Sequence, residues 1–343
     1  MWSISRGMLI RSVLLGFLLL SVGTLAVFVF VPDTLVSESA PPRAAAAVHG
    51  WFQDLISQYG AQPAYAIFKS EYAGAHFNTQ HNAAHIVGEL LYVAEGVDGI
   101  AVCDADFAFG CYHGFFSRAI STEGMGIATE LDEVCVRAFG PLGLGCPHGI
   151  GHGLVEYLGH DLTSLVDALA VCGTLTWKDT LFGCQDGVFM EYHFPVVFND
   201  EGSPRMTTRE LDEAQPYATC TSVPDRFEES CHFSLPQWWN ATLSAERIGE
   251  LCGALGDVQN QRACFLGVGN VTGPNTEYQP REAIAECSLM PTHRGEVLCR
   301  AGASWSFYAY PEVRDQAPAV CEGLEEADRA FCLREAELVE EER

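Results

Sequence analysis

"TELDEVCVRAFGPLGLGCPHGIGHGLVEYL" (residues 129–158) decides the fold. It reads as an amphipathic run ending near Cys135, a Pro/Gly turn, and a second run opened by Cys146. The plan recurs in "SAERIGELCGALGDVQNQRACFLGVG" (244–269) around Cys252 and Cys264. It recurs again in "PREAIAECSLMPTHRGEVLCRAGASWSF" (280–307) around Cys287 and Cys299. All fourteen cysteines fall into such local pairs: Cys103 with Cys111, Cys135 with Cys146, Cys172 with Cys184, Cys220 with Cys231, Cys252 with Cys264, Cys287 with Cys299, and Cys321 with Cys332. Pair members lie 8 to 12 residues apart, and the first members recur every 32 to 48 residues. A period in the mid-thirties is the mark of a helical-hairpin array. The expectation is an all-α superhelix of hairpins, each stapled by a disulfide where one helix ends and the next begins.

Two helices per repeat and this period make the plan similar in architecture to tetratricopeptide arrays. Their consensus residues are absent, so the similarity implies architecture and no function. Five of the seven second cysteines are followed three residues later by glycine: Gly114, Gly149, Gly187, Gly267 and Gly302. Glycine inside a helix costs about 1 kcal/mol relative to alanine. Its recurrence predicts close approach of a neighbouring helix.

Composition narrows the function. The 343 residues carry 45 acidic and 19 basic side chains, a formal charge of −26. Lys69 and Lys178 are the only lysines. Nucleic acid as a partner is excluded, because phosphate binding needs clustered cations. A surface of this sign attracts cations instead. Residues 12–31, "SVLLGFLLLSVGTLAVFVFV", contain no charge and suffice to span a bilayer as a helix. Arg6 and Arg11 precede the span, which predicts a signal-anchor with residues 1–11 in the cytoplasm and the remainder exported. A cleaved signal peptide is the alternative, with an apolar core normally about 7–15 residues long. Residues 32–46 read as a Pro/Ala linker, and 47–343 as the extracytoplasmic repeat domain. An even cysteine count in an exported chain accords with disulfides.

The candidate site comes from aligning the repeats. Two residues after the second cysteine stand His113, His148 and Asp186, then Phe233, Leu266, Ala301 and Arg334. "TQHNAAHIVGELLY" (79–92) resembles a cysteine-free copy, with Ala83 at the cysteine position and His85 in register. Gly88 then matches Gly151, and Glu89 matches His152. One turn from these lie His81 and His152, and residues four apart share a helix face. A lone His-x-x-x-His is more often packing or surface than a ligand pair. Here five histidines occupy adjacent registers of three neighbouring helices. The expected ligands are His81, His85, His113, His148 and His152, since bridged cysteines supply no thiolate. Imidazole and carboxylate donors suit zinc first, with copper or iron as alternatives. Asp186 and Glu89 are the expected catalytic acid/base or orienting groups.

Other positions are weaker. Glu191 and His193 either extend the site or sit on a solvated face. His160 reads as a helix-end charge partner or cap, and His232 and His293 as structural. "SLPQWWNAT" (234–242) reads as core or a repeat-junction wedge, with a partner-binding patch as the alternative, and Asn240 and Asn270 open N-x-T sequons. No phosphate-binding P-loop and no G-x-S-x-G elbow occurs. Two functions follow: a membrane-anchored extracytoplasmic metal-binding protein, hydrolase or oxidoreductase if catalytic, or a non-catalytic helical scaffold for an envelope protein or peptide.

Overall fold

The computed structural model describes Pro42 and residues 44–140, 145–176, 181–198, 204–310 and 312–336. The expected membrane span and cytoplasmic N-terminus lie outside the described residues. Within them, no helix is long and apolar enough to cross a membrane. The domain opens with α1 (Ala45–Tyr59), which begins inside the stretch expected to be linker, followed by α2 (Ala61–Tyr72) and α3 (Phe77–Glu95).

Seven stapled units follow. The first joins a 3-10 turn (Gly96–Val102) to α4 (Gly110–Glu123). The next two are α5 (Ala128–Phe139) with α6 (Gly145–Leu158), and α7 (Leu162–Cys172) with α8 (Cys184–His193). A small antiparallel hairpin then intervenes, β1 (Val196–Phe198) against β2 (Pro204–Met206), with Val196 opposite Met206. This insertion accounts for the longest cysteine interval. The fourth unit joins the 3-10 turns Cys220–Ser222 and Asp225–Phe227 to α9 (Glu228–Trp239). The fifth and sixth pair α10 (Ala245–Ala254) with α11 (Val258–Asn275), and α12 (Pro280–Cys287) with α13 (His293–Ala309). The last joins a 3-10 turn (Arg314–Cys321) to α14 (Glu326–Glu335). Three first arms are therefore 3-10 turns where α-helices were expected. Pro224 and Pro318 remove backbone donors in two of them.

All seven expected disulfides are present, with Cα–Cα distances of 5.4 to 5.9 Å, and no cysteine is free. Several helices open on side-chain caps. Asp161, Ser244, Asp257 and Thr292 each accept from a backbone N–H in the first turn.

The second arms lie side by side in chain order: α3 on α4, α4 on α6, α6 on α8, α8 on α9, α9 on α11, and α11 on α13. The recurring glycines sit where these helices meet. A Cβ at Gly114 would fall 1.8 Å from the His85 carbonyl oxygen. At Gly187, Gly267 and Gly302 it would fall 2.0 Å from the carbonyls of His148, Phe233 and Leu266 respectively. The same register repeats four times, which supports aligning His85, His148, Phe233 and Leu266. The α4–α6 contact departs from it. Phe116 stands where α3 has Gly88 and α6 has Gly151, and Gly149 and Gly153 pack against it instead.

The row also bends back on itself. Tyr310, just past α13, meets Phe109 at 5.8 Å between ring centroids. Trp305 of α13 meets Phe182 edge-to-face, 4.7 Å between ring centroids. The core runs continuously from α1 to α14, with Trp239, Phe115, Phe189 and Phe307 among its fully buried side chains. Each such burial contributes roughly 1.5–3 kcal/mol. Within "SLPQWWNAT", Ser234–Pro236, Trp238 and Trp239 are buried, and Asn240, Ala241 and Thr242 are exposed.

Candidate metal centre

The five aligned histidines meet. Helix α3 supplies His81 and His85, α4 supplies His113, and α6 supplies His148 and His152. His113 lies between the pairs, 5.2 Å from the His85 ring and 4.1 Å from the His152 ring. Within each pair the helical turn brings Nε2 atoms together, 3.1 Å apart for His81 and His85 and 3.0 Å apart for His148 and His152. Two trios have donors within 4.8 Å of one another: His81, His85 and His113, and His113, His148 and His152. The first trio is partly exposed through its α3 members, and the second is buried throughout.

The ring nitrogens facing away from the centre are held. His81 Nδ1 lies 2.9 Å from the Phe107 carbonyl oxygen. That carbonyl belongs to a left-handed turn, in which Phe107, Ala108 and Phe109 have φ of 56°, 52° and 62°. Left-handed conformations are costly for side-chain-bearing residues, and this one delivers a carbonyl to His81 and the Phe109 ring to His148. His152 Nδ1 lies 2.9 Å from Glu191 Oε2. His148 Nδ1 lies 3.0 Å from Asp186 Oδ2 but off the ring N–H direction, so this contact is electrostatic more than a hydrogen bond.

Glu191 accepts from His152 Nδ1–H, so His152 Nε2 presents a lone pair. His148 Nδ1 has no hydrogen-bond partner, so the His148 hydrogen sits either on Nε2, donated to His152 at 3.0 Å, or on Nδ1 facing Asp186. In the second tautomer the two Nε2 lone pairs face each other and can share a metal ion, and a carboxylate behind a ligand imidazole is the usual orienting arrangement. Beside them the buried Nε2 of His113 has no hydrogen-bond partner, and an orphaned buried nitrogen is costly. The residues fit a metal ion with imidazole ligands.

Asp186 is 3% exposed and stands behind His148, which makes it an orienting group and not a base open to substrate. Glu89 lies one turn past His85 and is half-buried. Burial, then Glu156, raises its pKa. Glu156 occupies the matching place past His152, accepts a hydrogen bond from Ser117, and is raised chiefly by burial. The sequence leaves Glu191 open between site and solvent; it is buried and holds both His152 and His160. His160 is thus a partner of Glu191 through Nε2, at 2.9 Å, and not a helix cap. His193 does not join the site: it stacks on Trp238 at 4.4 Å. His232 bonds the Glu228 carbonyl, and exposed His293 pairs with Asp328. Nothing in the sequence signals Phe182, whose ring stacks on His148 at 5.3 Å and is capped by Trp305.

Burial holds His81, His85, His113 and His152 below the ordinary imidazole range. For His85 and His113 neighbouring histidines add to it. His193 is pushed down to about 3 by burial, then by Arg209. These five rings stay neutral in the folded chain at pH values where the unfolded chain protonates them. The unfolded state binds more protons below about 6.5, so stability falls as pH drops from there towards the folded-state values. Each ring contributes a slope of about 1.4 kcal/mol per pH unit in that window. Glu89 and Glu156, as acids that gain protons on folding, and His293, raised by Asp328, act in the opposite sense, but they are three against six once His232, lowered by burial, is counted. The metal-free protein should hold its Tm between pH 8 and 7 and lose it steeply below 6.5. A Tm unchanged from pH 7 to 5 would contradict the burial of these neutral rings.

Comparisons with protein-family models, with curated proteins and with solved structures find no match to this chain. The functional reading therefore rests on the site.

Proposed function

We propose that this protein is a membrane-anchored, extracytoplasmic metal-binding protein, whose ion is held by His113, His148 and His152. The observation that carries the reading is the buried trio itself, whose ring nitrogens lie within 4.8 Å of one another, with Asp186 and Glu191 behind the inner pair. An all-imidazole donor set suits zinc first and copper or iron next. The bound ion would supply Lewis acidity, or redox chemistry if it is copper or iron. Asp186 and Glu191 orient the inner imidazoles. Glu89, half-buried and raised in pKa, is placed to hold a proton beside the outer pair. The second arms then form a tetratricopeptide-like superhelical scaffold around the ion. Seven disulfides suit an oxidising compartment, and the uncharged span at 12–31 supplies the anchor.

The full chain, purified without a histidine tag, should fractionate with membranes and carry stoichiometric zinc, copper or iron by elemental analysis. His148→Ala should lower metal affinity by at least ~100-fold, beyond the ~10–100-fold typical of losing an orienting partner, and leave the disulfide pattern unchanged. His293→Ala, outside the register, should retain the ion. If wild-type protein holds no ion and added metal leaves Tm unchanged, the histidines are packing. The scaffold reading, with an envelope protein or peptide as partner, would then take its place.

A further inference from the structure

The five histidines exceed what one ion can use. Metal–nitrogen bonds to imidazole are about 2.0–2.1 Å long, so donors to one ion lie at most about 4.2 Å apart. The donors here resolve into two trios that have only His113 in common. Each trio contains one His-x-x-x-His pair, with Nε2 atoms 3.1 and 3.0 Å apart. That separation matches two imidazoles bound side by side to one ion.

Building on the metal-centre reading above, we propose a two-ion centre in which His113 is the shared ligand. His81 and His85 hold an outer ion, and His148 and His152 hold an inner one. Imidazole suits the shared role because its two nitrogens lie on different edges of the ring. His113 is 3% exposed, and its Nε2 has no partner. A neutral His113 binds the first ion through its lone pair. The second ion takes the remaining nitrogen as that N–H gives up its proton to the solvent. One proton is released, one metal–nitrogen bond forms, and no electron is transferred.

The two positions are unequal. The outer pair is partly exposed and is held by a backbone carbonyl through His81. The inner pair is buried and backed by Asp186 and Glu191. The outer ion should exchange readily, and the inner ion slowly.

Copper(II) added to the full, tag-free chain tests this. After desalting, two ions per chain should remain. The first equivalent should give a full-intensity EPR spectrum, and the second should reduce that intensity, because an imidazolate bridge couples the two spins. A chelator should remove the ions in two phases. His81→Ala, at a partly exposed position, should keep one ion with full EPR intensity. His113→Ala should abolish the coupling. A single ion per chain, with His81→Ala unaltered, overturns the two-ion proposal and leaves the metal-centre reading intact. Two ions with full intensity overturn the shared role of His113. No ion retained overturns both readings.

Discussion

Reduced and alkylated, this protein should be unfolded under conditions where the oxidised form is fully helical. Each bridge closes a loop of about a dozen residues, which contributes roughly 3 kcal/mol by chain entropy, although the origin of the term is debated. Seven bridges together would contribute about 20 kcal/mol, more than the roughly 5–15 kcal/mol that separates a typical folded domain from its unfolded chain. The three 3-10 arms deepen the dependence, since such short turns have little helical stability of their own. Every half-cystine is at most 5% exposed, so a thiol reductant alone should act slowly. Denaturant should be needed for complete reduction, and helicity should not return on its removal until the bridges reform. Far-UV circular dichroism of the reduced, alkylated chain is the check. Native helicity there would show that the repeats stand without their staples.

Gly114→Ala should cost at least 1–3 kcal/mol, the usual range for overpacking, and should damage the metal centre as well. The new Cβ would stand 1.8 Å from the His85 carbonyl oxygen, on backbone that cannot rotate away. Helices α3 and α4 must separate, and His113 moves with α4 away from His81 and His85. Metal affinity at the outer position should fall by roughly 10–100-fold, the scale of losing a supporting contact. Gly50→Ala is the matched control. Gly50 is exposed within α1, and nothing lies within 4 Å of its would-be Cβ. Alanine there should be neutral or stabilising by up to about 1 kcal/mol. Thermal melts of both variants, with metal titrations, distinguish close helix approach from a general intolerance of substitution. Equal Tm values for the two would contradict the packing described.

The pairing of the cysteines was legible because a local bridge leaves a local spacing. The site was legible for a related reason. In a repeat array, equal distance from the cysteine means equal height on the helix, so His85, His113 and His148 could be found without any tertiary information. Glycine reported the helix contacts where backbone meets backbone, as at Gly114 and Gly187. Between α4 and α6 it reported a different fit, with Gly149 and Gly153 packed against Phe116, which fills the position glycine holds on α3 and α6. What the period could not carry is long-range closure. Nothing local tells Phe182 that Trp305 will cover it, or Phe109 that Tyr310 will. Glu191 was ambiguous for the same reason. Its place on α8 was readable, but its burial depends on His152 and His160 arriving from α6 and the turn that follows it. The 3-10 arms are not legible because amphipathic spacing over eight residues or fewer fits either helix type. The span at 12–31 remains a reading of composition.

X-ray absorption at the metal edge of the loaded, tag-free protein tests the central claim most directly. The account predicts a first shell of nitrogen near 2.0–2.1 Å, with the outer-shell scattering of several imidazole rings, and loss of that scattering in His148→Ala. A first shell of oxygen alone, or sulfur near 2.3 Å, would place the ion elsewhere and contradict it.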